Sequence, residues 1–294
     1  MENKSAKIRA RAKVNLALNI EGTRDRMHIL DSVLVSVDLF DELEVHFNDS
    51  RDLAVEFYDR FSGERMPVPE NDTVTRALCY LRSYIPGLGG SVSVRKGIHV
   101  GGGLGGSSAD ASAVIFAAKE LYGLNDSVTA GSVTVGSDVP AMVCGGALRL
   151  RGVGENVEKF TCPQLHLVIA SKGGSVSTRE AFSEFDRMYP AANYAPSDIP
   201  TLIASLKSGG VTSAAKNMHN ALTLPSIKLC PEISEVLDSI SETNVIARFM
   251  TGSGSCCCGL YNSEENAHKA VEYLRKNGIR AEYAPSCREG NSFV

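Results

Sequence analysis

The sequence predicts an α+β protein of two domains, and three observations carry that reading. The chain has 294 residues, a length that fills two modest domains more naturally than one. Its first third is dominated by strand patterns with one helix among them, whereas its second half alternates helices with strands. Hydrophobic residues make up 43% and charged residues 22% of the chain, enough apolar side chain for real cores and far from the composition of disordered or collagen-like chains. The division falls near residue 160, giving residues 1–160 and 161–294.

From residue 11 to residue 20 the chain alternates strictly. Ala12, Val14, Leu16, Leu18 and Ile20 fall on one face, and Lys13, Asn15, Ala17 and Asn19 on the other. That pattern predicts a half-buried strand carrying Lys13 and Asn15 side by side. Apolar, β-branched runs at 32–39, 42–47, 53–58 and 91–95, punctuated by Gly, Pro, Asn and Asp, predict further strands, with a helix over 72–84. After a glycine-rich stretch, Val114, Ile115, Ala118, Leu121 and Tyr122 recur with helical period and Gly123 supplies the stop. Ser107, three residues ahead of Asp110, predicts the start of that helix as a relative of the capping box. Strands follow at 147–151 and 165–171. The second half predicts helices over 178–188, 198–207, 232–240 (with Pro231 at its start) and 263–276, and strands over 245–250, 256–261 and 280–283. The stretch 191–200 is a loop within the second domain.

Thirty Lys and Arg against 34 Asp and Glu leave a net charge of −4. No global basic field is present to collect nucleic acid or anionic lipid, so an anionic ligand must be held locally. Apolar stretches fall well short of the roughly 20 residues of a membrane helix, and the N-terminus lacks the apolar segment of a secretory signal. A cytoplasmic protein with no nucleic-acid or membrane partner is expected. Eight cysteines in such a chain read as reduced, mostly buried thiols, and Cys256-Cys257-Cys258 running into Gly259-Leu260-Tyr261 reads as an apolar strand. Neither C-x-x-C spacing nor an H-E-x-x-H arrangement occurs.

The sharpest feature is Gly101-Gly102-Gly103-Leu104-Gly105-Gly106-Ser107-Ser108, between a strand pattern and a helix pattern. So many glycines let backbone N–H groups converge on an anion, and the helix N-terminus adds its partial positive charge. This is a phosphate cradle. Gly101, Gly103 and Gly106 satisfy G-x-G-x-x-G, but the dinucleotide fingerprint follows the first strand of a βαβ unit and expects an acidic residue closing the next strand. Here the corresponding region, 125–136, is polar and contains glycine. No Gly-Lys-Ser/Thr follows, so the loop is not a Walker A loop either.

At these residues the sequence resembles the GHMP kinases, whose phosphate loop lies mid-chain between a strand and a helix. Ala12-Lys13-Val14-Asn15-Leu16 and Val135-Gly136-Ser137-Asp138-Val139-Pro140 narrow the resemblance to the 4-diphosphocytidyl-2-C-methyl-D-erythritol kinases. Gly145-Gly146-Ala147, Gly152-Val153-Gly154-Glu155, Asn220-Ala221-Leu222 ahead of Pro231-Glu232, and Met250-Thr251-Gly252-Ser253-Gly254-Ser255 continue it in matching order, over residues 10–262. The resemblance implies an N-terminal domain like ribosomal protein S5 domain 2 and a ferredoxin-like C-terminal α/β sandwich. It implies phosphoryl transfer from ATP, with Mg2+, to a hydroxyl of a cytidine-diphosphate-linked polyol on a route to isoprenoids, by a monomer or homodimer.

It further implies Lys13 and Asp138 as the catalytic pair. An aspartate beside the acceptor hydroxyl can take its proton, and a lysine next to it neutralises charge at the transferring phosphoryl. ATP contacts fall to Lys96, His99, Val100, Gly101, Gly102, Gly103, Leu104, Gly105, Gly106, Ser107, Ser108 and Ala109, with Ser107 or Ser108, and Asp138, offered to Mg2+. Substrate contacts fall to Asn15, Met27, His28, Phe182, Gly252 and Ser253. Structural roles stay open beside several of these: Asn15 satisfying nearby backbone, Lys96 as a solvated strand end, Phe182 in a helix core, Gly252 and Ser253 in a hairpin turn.

The chain departs from the family pattern at Met27, where an aromatic ring would stack on the base. It departs again at His99, in place of a proline, and at Ser107-Ser108-Ala109, where a third glycine precedes two serines. The segment 125–136 has few good helix formers, so a helix common there is trimmed or missing. Two alternatives stand beside this reading: a GHMP kinase for another small alcohol (mevalonate-type, homoserine or sugar), which Met27 favours, and a non-catalytic nucleotide-binding relative, which the intact Lys13 and Asp138 oppose.

Overall fold

β1 (Lys4–Arg24) and β2 (Met27–Asn48) form a long antiparallel pair at the centre of a nine-stranded sheet in the computed structural model, which describes residues 2–25 and 27–294. β3 (Leu53–Asp59), β4 (Arg65–Met66) and β5 (Gly89–Lys96) extend it beyond β2, with β3 parallel to β5. β6 (Ala147–Gly152) pairs with the first half of β2, and β7 (Asn156–Phe160) with β6. A second, four-stranded antiparallel sheet holds β8 (His166–Ser171), β9 (Ala247–Met250), β10 (Cys257–Tyr261) and β11 (Arg280–Tyr283) in the order β11-β8-β10-β9. The chain then returns to the first sheet, where β12 (Ser286–Cys287) pairs with β2 and β13 (Asn291–Phe293) with β1. Residues 286–293, expected with the second domain, therefore close the first sheet.

Four helices accompany the first sheet: α1 (Thr73–Leu81), α2 (Gly106–Tyr122), α3 (Ser127–Gly131) and α4 (Val139–Cys144). The second half carries α5 (Thr178–Met188), α6 (Ile199–Lys207), α7 (Val211–Ala215), α8 (Thr223–Leu229), α9 (Glu232–Ser241) and α10 (Glu264–Lys276). The expected α+β layout holds. The helix expected to be trimmed is the five-residue α3, followed by a single 3-10 turn at Ser132–Thr134. Among the described residues no helix is long and apolar enough to cross a membrane.

The second sheet is apolar on both faces because two cores meet across it. On β8, Leu167 and Ile169 join the core shared with the first sheet, while Val168 and Ala170 join the core under α9 and α10. β10 repeats the pattern, Cys258 and Leu260 facing one core and Cys257 and Tyr261 the other. A strand buried on both faces reads as a continuous apolar run, which is why Cys257 and Cys258 fall in a strand; Cys256, expected to open it, lies just ahead of it. All eight thiols are free; Cys79 and Cys144 are exposed, against the expectation that most are buried, while Cys230, Cys256, Cys257 and Cys258 are buried.

Two strand expectations change. β1 is buried on both faces, with Lys13, Asn15 and Asn19 each only 6% exposed, because the glycine-rich loop and the second half of the chain cover its polar side. The runs 32–39 and 42–47 are one strand, β2. Asp41 looks like a break in sequence, yet it is fully buried within the strand because its carboxylate is satisfied there.

α5 is fastened to β1 through an aromatic cluster. Phe185 is buried, meets Tyr194 edge to face at 5.3 Å, and packs on Tyr189 at 5.2 Å. The Tyr194 hydroxyl accepts the Ile20 N–H at 2.6 Å. Emptying the centre of this cluster by Phe185→Ala is expected to cost about 3–5 kcal/mol of unfolding free energy. Urea denaturation checks this; a loss below about 1 kcal/mol contradicts the assigned packing.

Candidate active site

Lys13 stands on β1 where its register with β2 shifts, between Arg11 and Lys13. Its backbone N–H donates to the Leu104 carbonyl at 3.0 Å. Its ammonium donates to the Gly103 carbonyl at 2.9 Å and to Asn15 Oδ1 at 2.5 Å, and lies 3.9 Å from Asp138 Oδ2. Burial pushes the Lys13 pKa below the ordinary lysine value; the negative charge of Asp138, and less so Cys258, opposes that shift. The Asp138 side chain is 39% exposed against 7% for Lys13, so the carboxylate is the member of the pair that an incoming hydroxyl can reach.

Asn15 is a positioning residue. Its Oδ1 holds the Lys13 ammonium, its Nδ2 donates to Ser32 Oγ at 2.9 Å, and its backbone N–H donates to Thr251 Oγ1 at 3.0 Å. With its amide committed on both sides, it orients Lys13 and is not left open to substrate.

Two glycine loops meet backbone to backbone beside Lys13. Gly103 has φ +76°, and a Cβ there would fall 2.2 Å from the Thr251 carbonyl oxygen; Gly252 has φ +58°, and its Cβ would fall 2.5 Å from the Gly103 carbonyl oxygen. Only glycine fits either position, so the two loops hold each other backbone to backbone. Buried Asn220 fixes the second loop, donating from Nδ2 to the carbonyls of Met250 and Gly252 and accepting the Leu222 N–H. Ser253 does not open toward substrate. It is buried, with its hydroxyl against Thr178 Oγ1 at 3.1 Å and its carbonyl accepting from Ser226 Oγ at 2.9 Å.

Helix α2 starts differently from the capping-box expectation. Its N-cap is Gly105, with no side-chain cap, and the first i→i−4 bond runs from the Ala109 N–H to the Gly105 carbonyl at 2.8 Å. The N–H groups of Gly106, Ser107 and Ser108 precede that bond and, with the positive end of a 17-residue helix, are free for an anion. Asp110 points inward instead, to Lys96.

Lys96 is neither solvated nor turned to a ligand. Its ammonium lies 2.5 Å from Asp41 Oδ2 and 2.6 Å from Asp110 Oδ2, beneath the start of α2. Asp41 Oδ1 also accepts the N–H groups of Gly97 and Ile98. Burial opposes the Lys96 charge, but the two carboxylates outweigh it and raise its pKa to about 12. Burial likewise raises the Asp110 carboxyl well above its ordinary value, Lys96 opposing and Asp41 adding to the shift. The Lys96 ammonium thus locks β2, β5 and α2 together.

The His99 side chain is turned inward too. Its ring is buried, with Nε2 2.6 Å from Glu282 Oε1 and Nδ1 3.6 Å from Cys256 Sγ, so it ties the loop to the second sheet. Val100 is 73% exposed at the lip of the loop, and Leu104 and Ala109 are buried beneath it. Gly101 to Gly106 form the loop as expected, with Ser107 exposed and Ser108 partly so.

The structure brings His28 and Phe182 together from distant parts of the chain. Their rings stack at 4.4 Å with 20° between planes, and His28 Nε2 lies 2.9 Å from Asp186 Oδ1. Met27 is adjacent and half exposed. Sequence reasoning missed Asp41, Asp110 as the Lys96 partner, Thr251 and Asp186. Asp41 left one trace, an acid interrupting an otherwise apolar strand; the others left none.

Comparison with known proteins agrees with this geometry. The family described as GHMP kinases N terminal domain matches residues 72–146, and GHMP kinases C terminal matches residues 202–280. A 4-diphosphocytidyl-2-C-methyl-D-erythritol kinase of Pelotomaculum thermopropionicum is 34% identical over 277 residues, covering 91% of this chain and 93% of that protein. The chain belongs to the GHMP kinase family. A crystal structure of a 4-(cytidine 5'-diphospho)-2C-methyl-D-erythritol kinase superposes with a TM-score of 0.75 at 27% identity, covering 97% of this chain and all of that one. A homoserine kinase from Cytophaga hutchinsonii shares the fold, with a TM-score of 0.73 at 19% identity over 99% of this chain and 97% of that one. This GHMP kinase is accordingly an ATP-dependent phosphotransferase acting on a hydroxyl group.

Because burial lowers the Lys13 pKa, its ammonium is lost as pH rises through a value below the usual 10.5. Turnover of the kinase is expected to fall on the alkaline side below that pH. A kcat profile checks this, and turnover constant up to pH 10.5 contradicts it.

Proposed function

We propose that this kinase transfers the γ-phosphoryl group of ATP to a hydroxyl of 4-diphosphocytidyl-2-C-methyl-D-erythritol, in the cytoplasm and as a monomer or homodimer. The observation that carries the acceptor is the stacked His28–Phe182 pair. A flat ring offers a face to a cytosine, and a histidine whose Nε2 is held by Asp186 presents Nδ1 to the polar edge of the base. The 34% identity to a kinase of that name supports the same substrate. A thioether at Met27, where a ring would stack, favours a second reading, a kinase of the same family for another small alcohol.

In this reading residues 1–160 carry the ATP loop and residues 161–294 complete the cleft, the last strands returning to the first sheet. The triphosphate lies over Gly101–Ser108, its charge met by the free N–H groups at the start of α2. Asp138 takes the proton of the acceptor hydroxyl as that oxygen bonds to the γ-phosphorus and the bond to ADP breaks. Lys13, held by Asn15 and the Gly103 carbonyl, sets its positive charge beside the transferring group. The exposed Ser107 hydroxyl or Ser108, together with the Asp138 carboxylate, is a sparse set of hard oxygen donors. Such a set would suit Mg2+, a hard cation that takes oxygen ligands. When bound, Mg2+ offsets phosphate charge.

Asp138→Asn is expected to cut turnover by about 100-fold or more while ATP binding, measured by calorimetry, survives. Near-normal turnover removes Asp138 from the chemistry. Phe182→Ala is expected to raise KM for the cytidine acceptor by roughly 5- to 150-fold, the equivalent of about 1–3 kcal/mol of stacking, with KM for ATP unchanged. An unchanged acceptor KM removes the ring from the base site.

A further inference from the structure

A cavity of about 720 Å3 lies apart from the glycine loop, between the returning C-terminal strap and β7. Its volume is within the range of small-molecule sites. Arg11, Lys159 and Arg288 line it together with one acid, Glu289. Among the described residues neither Lys159 nor Arg288 has a carboxylate partner; Lys159 Nζ reaches only the Cys144 carbonyl, at 3.3 Å. Arg11 is partly balanced by Asp38, 3.6 Å from its Nε, and donates from Nη1 to Ser292 Oγ at 3.0 Å. Its Nε is buried without a hydrogen bond. In a chain with more acids than bases, a hollow with three cations and one acid is an exception, and Val35, Phe160 and Pro163 give it an apolar wall.

The position of this cavity ties it to the chemistry. α4 begins at its N-cap Asp138 and ends at Cys144, about 9 Å away at helical rise. Past that end, Gly145 and Gly146 are pressed against the strap. A Cβ on Gly145 would fall 2.0 Å from the Gly290 nitrogen, and one on Gly146 would fall 2.6 Å from the Arg288 carbonyl oxygen. Buried Asn291 of the strap donates to Met142 O on α4 and Ser112 Oγ on α2. Whatever Lys159 and Arg288 grip therefore bears on one end of the helix whose other end is Asp138.

We propose that this cavity is a second binding site, for a small phosphorylated molecule with an apolar portion, and that its occupation alters turnover through α4. Two cations with no carboxylate partner among the described residues supply charge-assisted hydrogen bonds to phosphate, and the apolar wall receives the remainder. The binding half is independent of the acceptor assigned above; the coupling half rests on Asp138 as base.

Calorimetry with phenyl phosphate, phenol and inorganic phosphate, in saturating Mg2+-ADP so that the glycine loop is filled, tests the binding half. The wild type is compared with Lys159→Ala/Arg288→Ala, two exposed positions whose loss leaves the cores intact. Phenyl phosphate is expected to bind the wild type more tightly than inorganic phosphate, with phenol not binding and affinity falling at least about tenfold in the double variant. No binding, or equal affinity for both proteins, overturns the site. For the coupling half, saturating phenyl phosphate is expected to change wild-type kcat, at saturating ATP and acceptor, by about twofold or more and to leave the variant unchanged. An unchanged wild-type kcat overturns the coupling. Should the protein turn over no acceptor at all, the substrate assignment fails instead, and calorimetry alone still decides the site.

Discussion

A buried ammonium must be surrounded by oxygen, and the way Lys13 meets that demand organises the active site. Its partners come from three parts of the chain: Asn15 on β1, the Gly103 carbonyl in the glycine loop, and Asp138 at the start of α4. The loop cannot move away from β1 without stripping the ammonium of a partner, and an unpaired buried charge is costly. The loop is held from the other side as well, because the backbone of Thr251 and Gly254 occupies the space where a Gly103 side chain would be. Electrostatics and sterics thus fix the same few atoms.

A second buried lysine does complementary work beneath the loop. Lys96 gathers Asp41 from β2 and Asp110 from α2. With Gly105, which has no side chain, at the N-cap and Asp110 turned inward to Lys96, the first turn of α2 has no side-chain cap, and those uncapped N–H groups are what a phosphate needs. A capping box would have filled the anion site with the protein's own oxygen. The fold therefore spends an acidic residue on rigidity under the loop and leaves the N–H groups above it open.

Much of this was legible in sequence because it is periodic or local. The alternation through Lys13 and Asn15, the helical recurrence after Gly106, the glycine run and the strand that begins at Cys257 all follow from spacing alone. What escaped was carried by contacts distant in sequence. Nothing near Lys96 announces that its partners lie 55 and 14 residues away, and His99 and Ser253, read as ligand contacts, sit against Glu282 and Thr178. Strands as short as Ser286–Cys287 and Asn291–Phe293 are too brief for a periodic signal. Asp41 shows the opposite error: punctuation in sequence, a satisfied buried acid in the fold.

The account turns on a Lys13–Asp138 pair serving an acceptor chosen by the His28–Phe182 stack. The most direct test is ADP release by the purified protein with ATP and Mg2+, offering 4-diphosphocytidyl-2-C-methyl-D-erythritol beside mevalonate, homoserine and galactose. Turnover with the cytidine compound alone is the predicted result. Turnover with another acceptor and none with the cytidine compound would contradict the account, leaving the phosphoryl-transfer machinery in place and the stacked pair without its base.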